Sequence, residues 1–224
     1  TGSPREIFRA ARALGAEIIC ANHPYSTYGY LRNLELENVP GTFDPDFDCL
    51  EVNYQHPVEP AVHEIWDCWN RGQNVYLTAG TDSHDVQSDC SGSVRTYVAL
   101  SGKPDLAGLI AALKAGHSFV SYGPLIFPEI LFGSRMRLQK GRTLPLRFRL
   151  LAVNALSRVE LIEQGRMIDS REFTGTSRRG DVVFEPLPDT DTWFAVRVTD
   201  QHGKRAFTNP IWVSVEDTPG RNTT

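Results

Sequence analysis

The chain has 224 residues and a net charge of −4, with 41% apolar and 22% charged residues, which suits a globular protein of one large domain or two smaller ones. The slight negative charge gives no basic field, and no apolar run approaches the roughly 18 residues that cross a bilayer, so we expect neither nucleic acid nor a membrane as partner. No export signal is visible, and the compartment stays open between cytoplasm and export.

Helices and short apolar strands alternate in the first half of the chain. Apolar spacing and boundary residues predict helices over 4–16, 60–72 and 105–116, and short apolar runs predict strands over 17–21, 48–53 and 74–80. Asp105 is placed to cap the third helix. Apolar strands joined by helices are typical of a parallel sheet that is buried on both faces.

From residue 125 onward the hydrophobic pattern has period two. Apolar and polar residues alternate in runs such as "FRLLA" and "FAVRVTD", and Gly, Pro, Asn and Asp separate these runs. This pattern predicts an antiparallel β-sandwich over 125–216, with a hairpin loop at Gly203 and a disordered tail over 217–224. Residues 1–124 then form the α/β part of the chain.

Polar residues follow two of the predicted parallel strands. His23 comes after the first strand, and Asp82 and His84 come after the third, in "LTAGTDSHD". Residues two apart on an extended chain face the same side, so Asp82 and His84 can direct an oxygen and a nitrogen at one point. Such a mixed set suits Zn²⁺ or Mn²⁺. A plain polar turn explains the motifs equally well, and both interpretations stay open at this point.

Several motifs together resemble a known family. "CANHP", "CLEVNY" and "AGTDSHD" occur in the order and spacing of the last three strand ends of the PHP (polymerase and histidinol phosphatase) superfamily of metal-dependent hydrolases. "LIAALKAGHSFVSYGPLI" and "AFTNPIWV" are similar, more narrowly, to its CehA/McbA-type metallohydrolase branch, which adds a β-sandwich to the barrel. The resemblance extends over nearly the whole chain.

The resemblance implies a distorted (β/α)7 barrel that binds two or three divalent metal ions, Zn, Mn or Fe, at its carboxyl-end rim. By the same resemblance His23, Asp82 and His84 are metal ligands, and Asp82 also acts catalytically by handling protons at a metal-bound water. The implied activity is that of a phosphoesterase-like, ester or carbamate hydrolase that uses metal-activated water on a small-molecule substrate.

The chain departs from this family in one respect. Family members open with an H-x-H strand, and this sequence contains no H-x-H. Three strands cannot close a barrel of seven or eight. We therefore predict an α/β plus all-β fold: the last three strands of a partial distorted (β/α)7 PHP-type barrel, followed by an antiparallel β-sandwich. The missing half of the barrel is expected from a longer parent chain or a second chain.

A non-catalytic binding module is the competing hypothesis. In this hypothesis the β-sandwich recognises carbohydrate or protein, and the half-barrel is a catalytically silent remnant. The hydrolase and the module differ in where function lies, which is the strand ends in the first case and the sandwich in the second.

Four further residues have two interpretations each. Glu51 is interpreted as a structural hydrogen-bonding residue in preference to a group beside the metals. Asp85 suits either an orienting partner of His84 or a surface turn. Cys20 and Cys49 lie within apolar strand-like runs and are expected to be buried free thiols, with a disulfide left open. The cysteines show no C-x-x-C spacing, which argues against a zinc ribbon or a dithiol redox site.

Overall fold

The protein is described by a computed structural model that covers residues 3–39, 43–44, 46–53, 58–87 and 91–217. The helices within these residues are α1 (Pro4–Ala13), α2 (Tyr30–Glu35), α3 (Val58–Asn70) and α4 (Leu106–Lys114). The strands are β1 (Cys20–Ala21), β2 (Cys49–Asn53), β3 (Tyr76–Gly80), β4 (Arg95–Val98), β5 (Ser118–Ser121), β6 (Leu125–Pro128), β7 (Arg135–Gln139), β8 (Leu146–Leu151), β9 (Leu156–Glu163), β10 (Arg166–Glu172), β11 (Arg179–Phe184), β12 (Thr192–Asp200), β13 (Arg205–Thr208) and β14 (Ile211–Glu216). Across these ranges, every helix is too short or too polar to cross a membrane.

Local capping signals set the start of two helices. Ser3 and Glu6 form a capping box at the start of α1, with the Ser3 N–H donating to Glu6 Oε2 at 2.7 Å, and Pro4 occupies the first turn. At α4 the Asp105 side chain accepts a hydrogen bond from the Gly108 N–H at 2.7 Å, which confirms the predicted cap.

The first layer is a parallel sheet with the strand order β1-β2-β3. Cys20 of β1 lies beside Cys49 of β2, and Asn53 of β2 lies beside Gly80 of β3. The central strand β2 is buried along its whole length. Helix α3 contributes to the same apolar core because its buried residues recur at helical spacing, at Val58, Ala61, Val62, Ile65, Trp66 and Trp69.

Two further sheets form the second and third layers. The larger sheet has the order β10-β9-β12-β13-β5-β4, with β14 beside β12 and β7 beside β14, and the smaller sheet has the order β11-β8-β6. The larger sheet lies in the middle, because its two faces contribute to two different apolar cores. In β9, for example, Ile162 belongs to the core with the parallel sheet, whereas Leu161 belongs to the core with the smaller sheet.

Side chains of the middle layer cover the outer edge of β3. The Asn209 Oδ1 accepts a hydrogen bond from the Leu77 N–H at 2.7 Å. The Thr96 hydroxyl accepts from the Ala79 N–H at 2.8 Å and donates to the Ala79 carbonyl oxygen at 3.1 Å. These contacts satisfy backbone groups that a further parallel strand would otherwise bind.

The fold class predicted from the sequence, with its partial (β/α)7 barrel of PHP type, is wrong. Strands contain more of the described residues than helices do, and the three helix-linked strands form a small open sheet instead of part of a closed barrel. The physical reason lies at β3. After β3 the chain enters β4, which pairs antiparallel with β5 in the middle layer, so the parallel sheet stops at three strands.

Two other expectations concern boundaries. Gly203 has a φ of 74° in the loop between β12 and β13, as the predicted hairpin requires. The division of the chain at residue 124 stays a prediction, and the pairing of β5 with β13 joins residues from both sides of it. The predicted tail, apart from Asp217, lies outside the described residues.

Candidate functional site

A buried carboxylate holds the turn after β1. Glu51, which is 9% exposed, accepts a hydrogen bond from the His23 N–H at 2.7 Å and a longer one from Asn53 Nδ2 at 3.4 Å. A Cβ atom at Gly80 would lie 2.6 Å from Glu51 Oε1, so glycine leaves room for the carboxylate. The structural hydrogen-bonding role predicted for Glu51 is confirmed.

The predicted metal ligands lie on turns that follow β1 and β3. His23 and Asp82 have positive φ angles of 32° and 52°, a region that costs energy for residues other than glycine. The Nδ1 atom of His23 lies 3.1 Å from Ser26 Oγ. Asp82 and His84 are exposed, and His84 Nδ1 lies 2.6 Å from the Asp82 carbonyl oxygen. One ring nitrogen of His84 therefore contacts the backbone of its own turn.

The structure does not bring a metal-binding group together in the part of the chain that it describes. Over these residues there is no cluster of three or more His, Cys, Asp or Glu side chains arranged to hold a metal ion. Protein metal centres of the implied kind need at least three converging ligands. The classification as a metal-binding, PHP-domain phosphoesterase or metallohydrolase is therefore wrong. The individual roles of His23, Asp82 and His84, the Zn, Mn or Fe cofactor, the substrate and the missing barrel half stay predictions.

The three cysteines that are described are free thiols, with Cys49 and Cys68 buried and Cys20 exposed, so the predicted buried thiol is confirmed for Cys49 and wrong for Cys20. The Cys20 sulfur lies 3.2 Å from Thr78 Oγ1, and partial desolvation by the surrounding protein raises the pKa of Cys20 to about 11. A thiol with a pKa at or above its ordinary value of about 8.5 stays protonated at neutral pH, so Cys20 is not an activated nucleophile.

An apolar pocket of about 540 Å³ opens between the two sheets of the sandwich. Strands β4, β5 and β6 and the loop after β6 supply its lining, which is Tyr97, Val98, Ala99, His117, Ser118, Phe119, Leu125, Ile126, Phe127, Pro128, Leu131 and Phe132. Tyr97 stacks on Phe119 with ring centroids 5.0 Å apart, and Phe119 meets Phe132 edge to face at 6.2 Å. The pocket is therefore an extension of the sandwich core toward solvent.

The pocket offers few hydrogen-bonding groups to a ligand. Apart from backbone, the polar side chains of its lining are Tyr97, His117 and Ser118, and the Ser118 hydroxyl already binds Asn209 Nδ2 at 2.9 Å. At the mouth, Phe127 and Leu131 are 40% and 42% exposed. A pocket with this lining binds an apolar group, since burying polar atoms without partners is costly.

A second depression adjoins the pocket along α4, and its lining combines alanines of the helix with Ser101, Lys103 and Asp105. It shares Ala99, His117 and Leu131 with the pocket and has a volume of about 690 Å³. Helix α4 has the sequence "LAGLIAALK", yet Ala112 is its only buried residue. Leu106 at its first turn is 70% exposed. The pocket is thus part of a larger exposed apolar surface of the kind that marks interaction sites.

Neither a protein-family model nor a curated protein matches the chain. Among solved structures, the chain is similar to fibronectin(III)-like modules of CbhA from Clostridium thermocellum, with a TM-score of 0.31, 13% identity, and coverage of 42% of this chain and 100% of that chain. It is similar to the titin M10–obscurin-like 1 Ig complex, with a TM-score of 0.30, 17% identity, and coverage of 45% and 99%. It is also similar to the extracellular domain of mouse leukocyte-associated immunoglobulin-like receptor 1, with a TM-score of 0.29, 9% identity, and coverage of 40% and 98%.

The apolar pocket was not predicted from the sequence. Its residues lie in runs such as "SFVSYGPLIFP", whose apolar pattern is the same for a buried core strand and for the wall of an open pocket. The one local signal is Pro128, because proline in a strand favours the edge of a sheet.

Proposed function

We propose that the chain is a protein-binding module, in which β4 and the apolar pocket receive an extended apolar segment of a partner protein. The observation that carries this proposal is the position of the pocket at a sheet edge. Strand β4 is the last strand of the larger sheet, and Tyr97 and Val98 at its end, with Ala99 directly after it, line the pocket. An extended segment can add to such an edge and place alternate side chains in the adjoining pocket.

The backbone of β4 has the donors and acceptors that such a segment needs. The Ala99 N–H donates to the His117 carbonyl oxygen at 2.8 Å, so Ala99 bonds inward, toward β5. In an antiparallel ladder the direction of these bonds alternates, so Thr96 and Val98 direct their N–H and C=O groups away from β5. Among the described residues no further strand pairs with the outer edge of β4, so the outward N–H and C=O groups of Thr96 and Val98 are available to an added strand.

The second edge beside the pocket is less suited to an added strand. Strand β6 is the last strand of the smaller sheet and ends at Pro128. Proline has no N–H, and it is a residue that proteins place on edges to prevent pairing. The incoming segment is therefore assigned to β4, with its apolar side chains directed between the sheets.

The extent of the apolar surface supports a protein in preference to a small molecule. A small ligand fills one pocket and is surrounded by its walls. Here the pocket continues into the depression along α4, so an occupant of the pocket alone leaves Ala107 and Ala111 of the depression exposed. A protein segment that extends beyond the pocket covers both surfaces.

The test is selection of random peptides displayed on phage against the whole immobilised chain, followed by fluorescence polarisation with the selected peptides. We expect peptides with alternating apolar residues. Leu131→Ser removes an apolar contact at the mouth and is expected to weaken binding about tenfold. Val98→Pro removes an outward N–H and is expected to weaken binding by a similar factor. Amide exchange at Thr96 and Val98 is expected to slow in the complex.

Val183→Ser is the matched control. Val183 lies on β11, at the far edge of the smaller sheet, and its 41% exposure nearly equals the 42% of Leu131. It is expected to leave binding unchanged. The proposal is overturned if Leu131→Ser and Val183→Ser bind the peptides equally. Binding that leaves amide exchange in β4 unchanged also overturns the proposed strand addition.

A further inference from the structure

Two cysteines lie side by side at the outer edge of the parallel sheet. Cys20 of β1 is the direct partner of Cys49 of β2 in the ladder, and both are free thiols. Neighbouring strands of a sheet are about 4.8 Å apart, and a disulfide joins residues whose Cα atoms are about 4.4–6.8 Å apart. The backbone positions of these two residues therefore permit a disulfide.

The two thiols lie on the same face of the sheet. Side chains of residues that are paired across a ladder share a face, and so do those of residues two apart on one strand. Cys20 and Cys49 therefore share a face with Glu51, and with Thr78 of β3, which is the partner of Glu51. Leu50, between Cys49 and Glu51, belongs to the apolar core on the opposite face.

The sheet curls toward the face that carries the thiols. Strands β1 and β3 lie on either side of β2, so a flat sheet would keep their backbones about 10 Å apart. The Cys20 sulfur nevertheless lies 3.2 Å from Thr78 Oγ1 on β3. The Cys20 side chain therefore lies over β2, the strand that carries Cys49. Such a curl brings the Cβ atoms of Cys20 and Cys49 closer than the roughly 5 Å of a flat pair, toward the roughly 3.8 Å of a disulfide.

The two thiols differ in their access to solvent. Cys20 is exposed, whereas Cys49 is fully buried, so a reagent in solution reaches Cys20 first. Partial desolvation raises the pKa of Cys20 to about 11, so its thiolate is scarce at neutral pH and becomes more abundant as the pH rises. Thiol chemistry at Cys20 is therefore expected to be slow at pH 7 and faster at about pH 9.

We propose that Cys20 and Cys49 form a redox-active pair that closes to an intramolecular disulfide by exchange with a small-molecule disulfide such as glutathione disulfide. The Cys20 thiolate attacks one sulfur of glutathione disulfide, a mixed disulfide forms, and one glutathione thiolate leaves and takes up a proton. The Cys49 sulfur then attacks the Cys20 sulfur, and the second glutathione leaves with the proton that Cys49 loses. Two protein thiols are oxidised, and one glutathione disulfide is reduced to two glutathione thiols.

The disulfide ties the edge strand of the sheet to its central strand. Strand β1 has only two residues and pairs with β2 alone among the described residues, so few backbone hydrogen bonds hold it. A covalent link between β1 and β2 closes the loop that contains α2 and reduces the entropy of the unfolded chain. The oxidised form is therefore expected to unfold at a Tm several degrees above that of the reduced form.

The test is incubation of the whole reduced chain with glutathione disulfide at about pH 9, followed by alkylation of the remaining thiols and peptide mapping by mass spectrometry. We expect a peptide pair joined through Cys20 and Cys49, which dithiothreitol separates. Cys49→Ala is expected to stop at the mixed disulfide, with glutathione on Cys20. Cys20→Ser, which changes an exposed residue, is expected to leave Cys49 as a free thiol because the reagent does not reach it.

Cys68→Ala is the matched control, since Cys68 is a buried free thiol on α3. It is expected to form the link between Cys20 and Cys49 at the rate of the wild type. The proposal is overturned if Cys20 of the wild type does not react, or if it keeps its glutathione while Cys49 stays a free thiol. A link from Cys20 to Cys68 or Cys90 in place of Cys49 also overturns it.

Discussion

Replacing Asn209 with leucine tests how the parallel sheet is joined to the larger antiparallel sheet. Asn209 is fully buried. Its Oδ1 accepts from the Leu77 N–H at 2.7 Å, and its Nδ2 donates to the carbonyl oxygen and the hydroxyl of Ser118 at 3.1 and 2.9 Å. Leucine is similar in size and makes no side-chain hydrogen bond, so the variant leaves the Leu77 N–H buried without a partner and removes the donor from both the carbonyl oxygen and the hydroxyl of Ser118.

The expected loss follows from the number of groups that become unsatisfied. A buried donor or acceptor without a partner costs about 1–3 kcal/mol. The Leu77 N–H and the Ser118 carbonyl together predict a fall of about 2–6 kcal/mol in the free energy of unfolding, a large share of the roughly 5–15 kcal/mol typical of a domain. Thr96→Val, which removes the other side chain that covers this edge, is expected to cost about 1–3 kcal/mol.

The assay is urea unfolding at pH 7 followed by circular dichroism, with amide exchange measured at Leu77. Asn38→Leu is the control, because Asn38 is exposed and its side chain donates only to Asn33 Oδ1 among the described residues. It is expected to change stability by less than about 0.5 kcal/mol. The reasoning is refuted if Asn209→Leu unfolds like this control, or if the Leu77 amide of the variant exchanges as slowly as in the wild type.

Two further predictions concern an ion pair and a close backbone approach. Burial would raise the pKa of Glu160, but hydrogen bonds from Arg197 at 2.6 and 2.9 Å lower this pKa overall. Glu160→Gln breaks this ion pair, so it is expected to reduce the free energy of unfolding by about 3 kcal/mol above pH 5. Because the pKa of Glu160 is lower in the folded state than in the unfolded state, the difference in stability between the wild type and Glu160→Gln is lost as the pH falls below about 4. A difference between their urea midpoints that stays constant with pH contradicts this prediction. Gly133→Ala places a Cβ against the Ala115 carbonyl oxygen at a φ of 80°, whereas the control Gly141→Ala, at a φ of 79°, places its Cβ in open space. Both variants strain the backbone, so the Gly133 variant is expected to lower Tm by several degrees more than the control because of the overlap. Equal losses of Tm in the two variants contradict the proposed overlap.

Local elements of this protein follow from local sequence. The capping box of Ser3 and Glu6 and the cap of Asp105 are signals within one turn of the helix that they begin, and the helices start where these signals lie. Strand β2 coincides with an apolar run of strand length. The positive φ at Gly203 likewise depends on the residues of its own turn.

The class of fold could not be obtained in the same way. A run of helix-linked apolar strands is compatible with a barrel and with a short open sheet, because both bury each strand on two faces. The difference lies at the outer edge of β3, where Thr96 and Asn209 bind backbone groups from 17 and 132 residues away along the chain. No periodicity within β3 shows which partner its edge will meet.

The candidate sites show the same difference between what local sequence determines and what tertiary structure determines. The sequence by itself determined which residues are able to bind, cap or pack, and it singled out Glu51 as a structural hydrogen-bonding residue. Only the tertiary structure decided that Tyr97, Phe119 and Phe132 surround an open pocket. The physical reason is that a local pattern specifies how one segment buries its own surface, whereas a pocket depends on which distant segments pack together and on the gap that they leave.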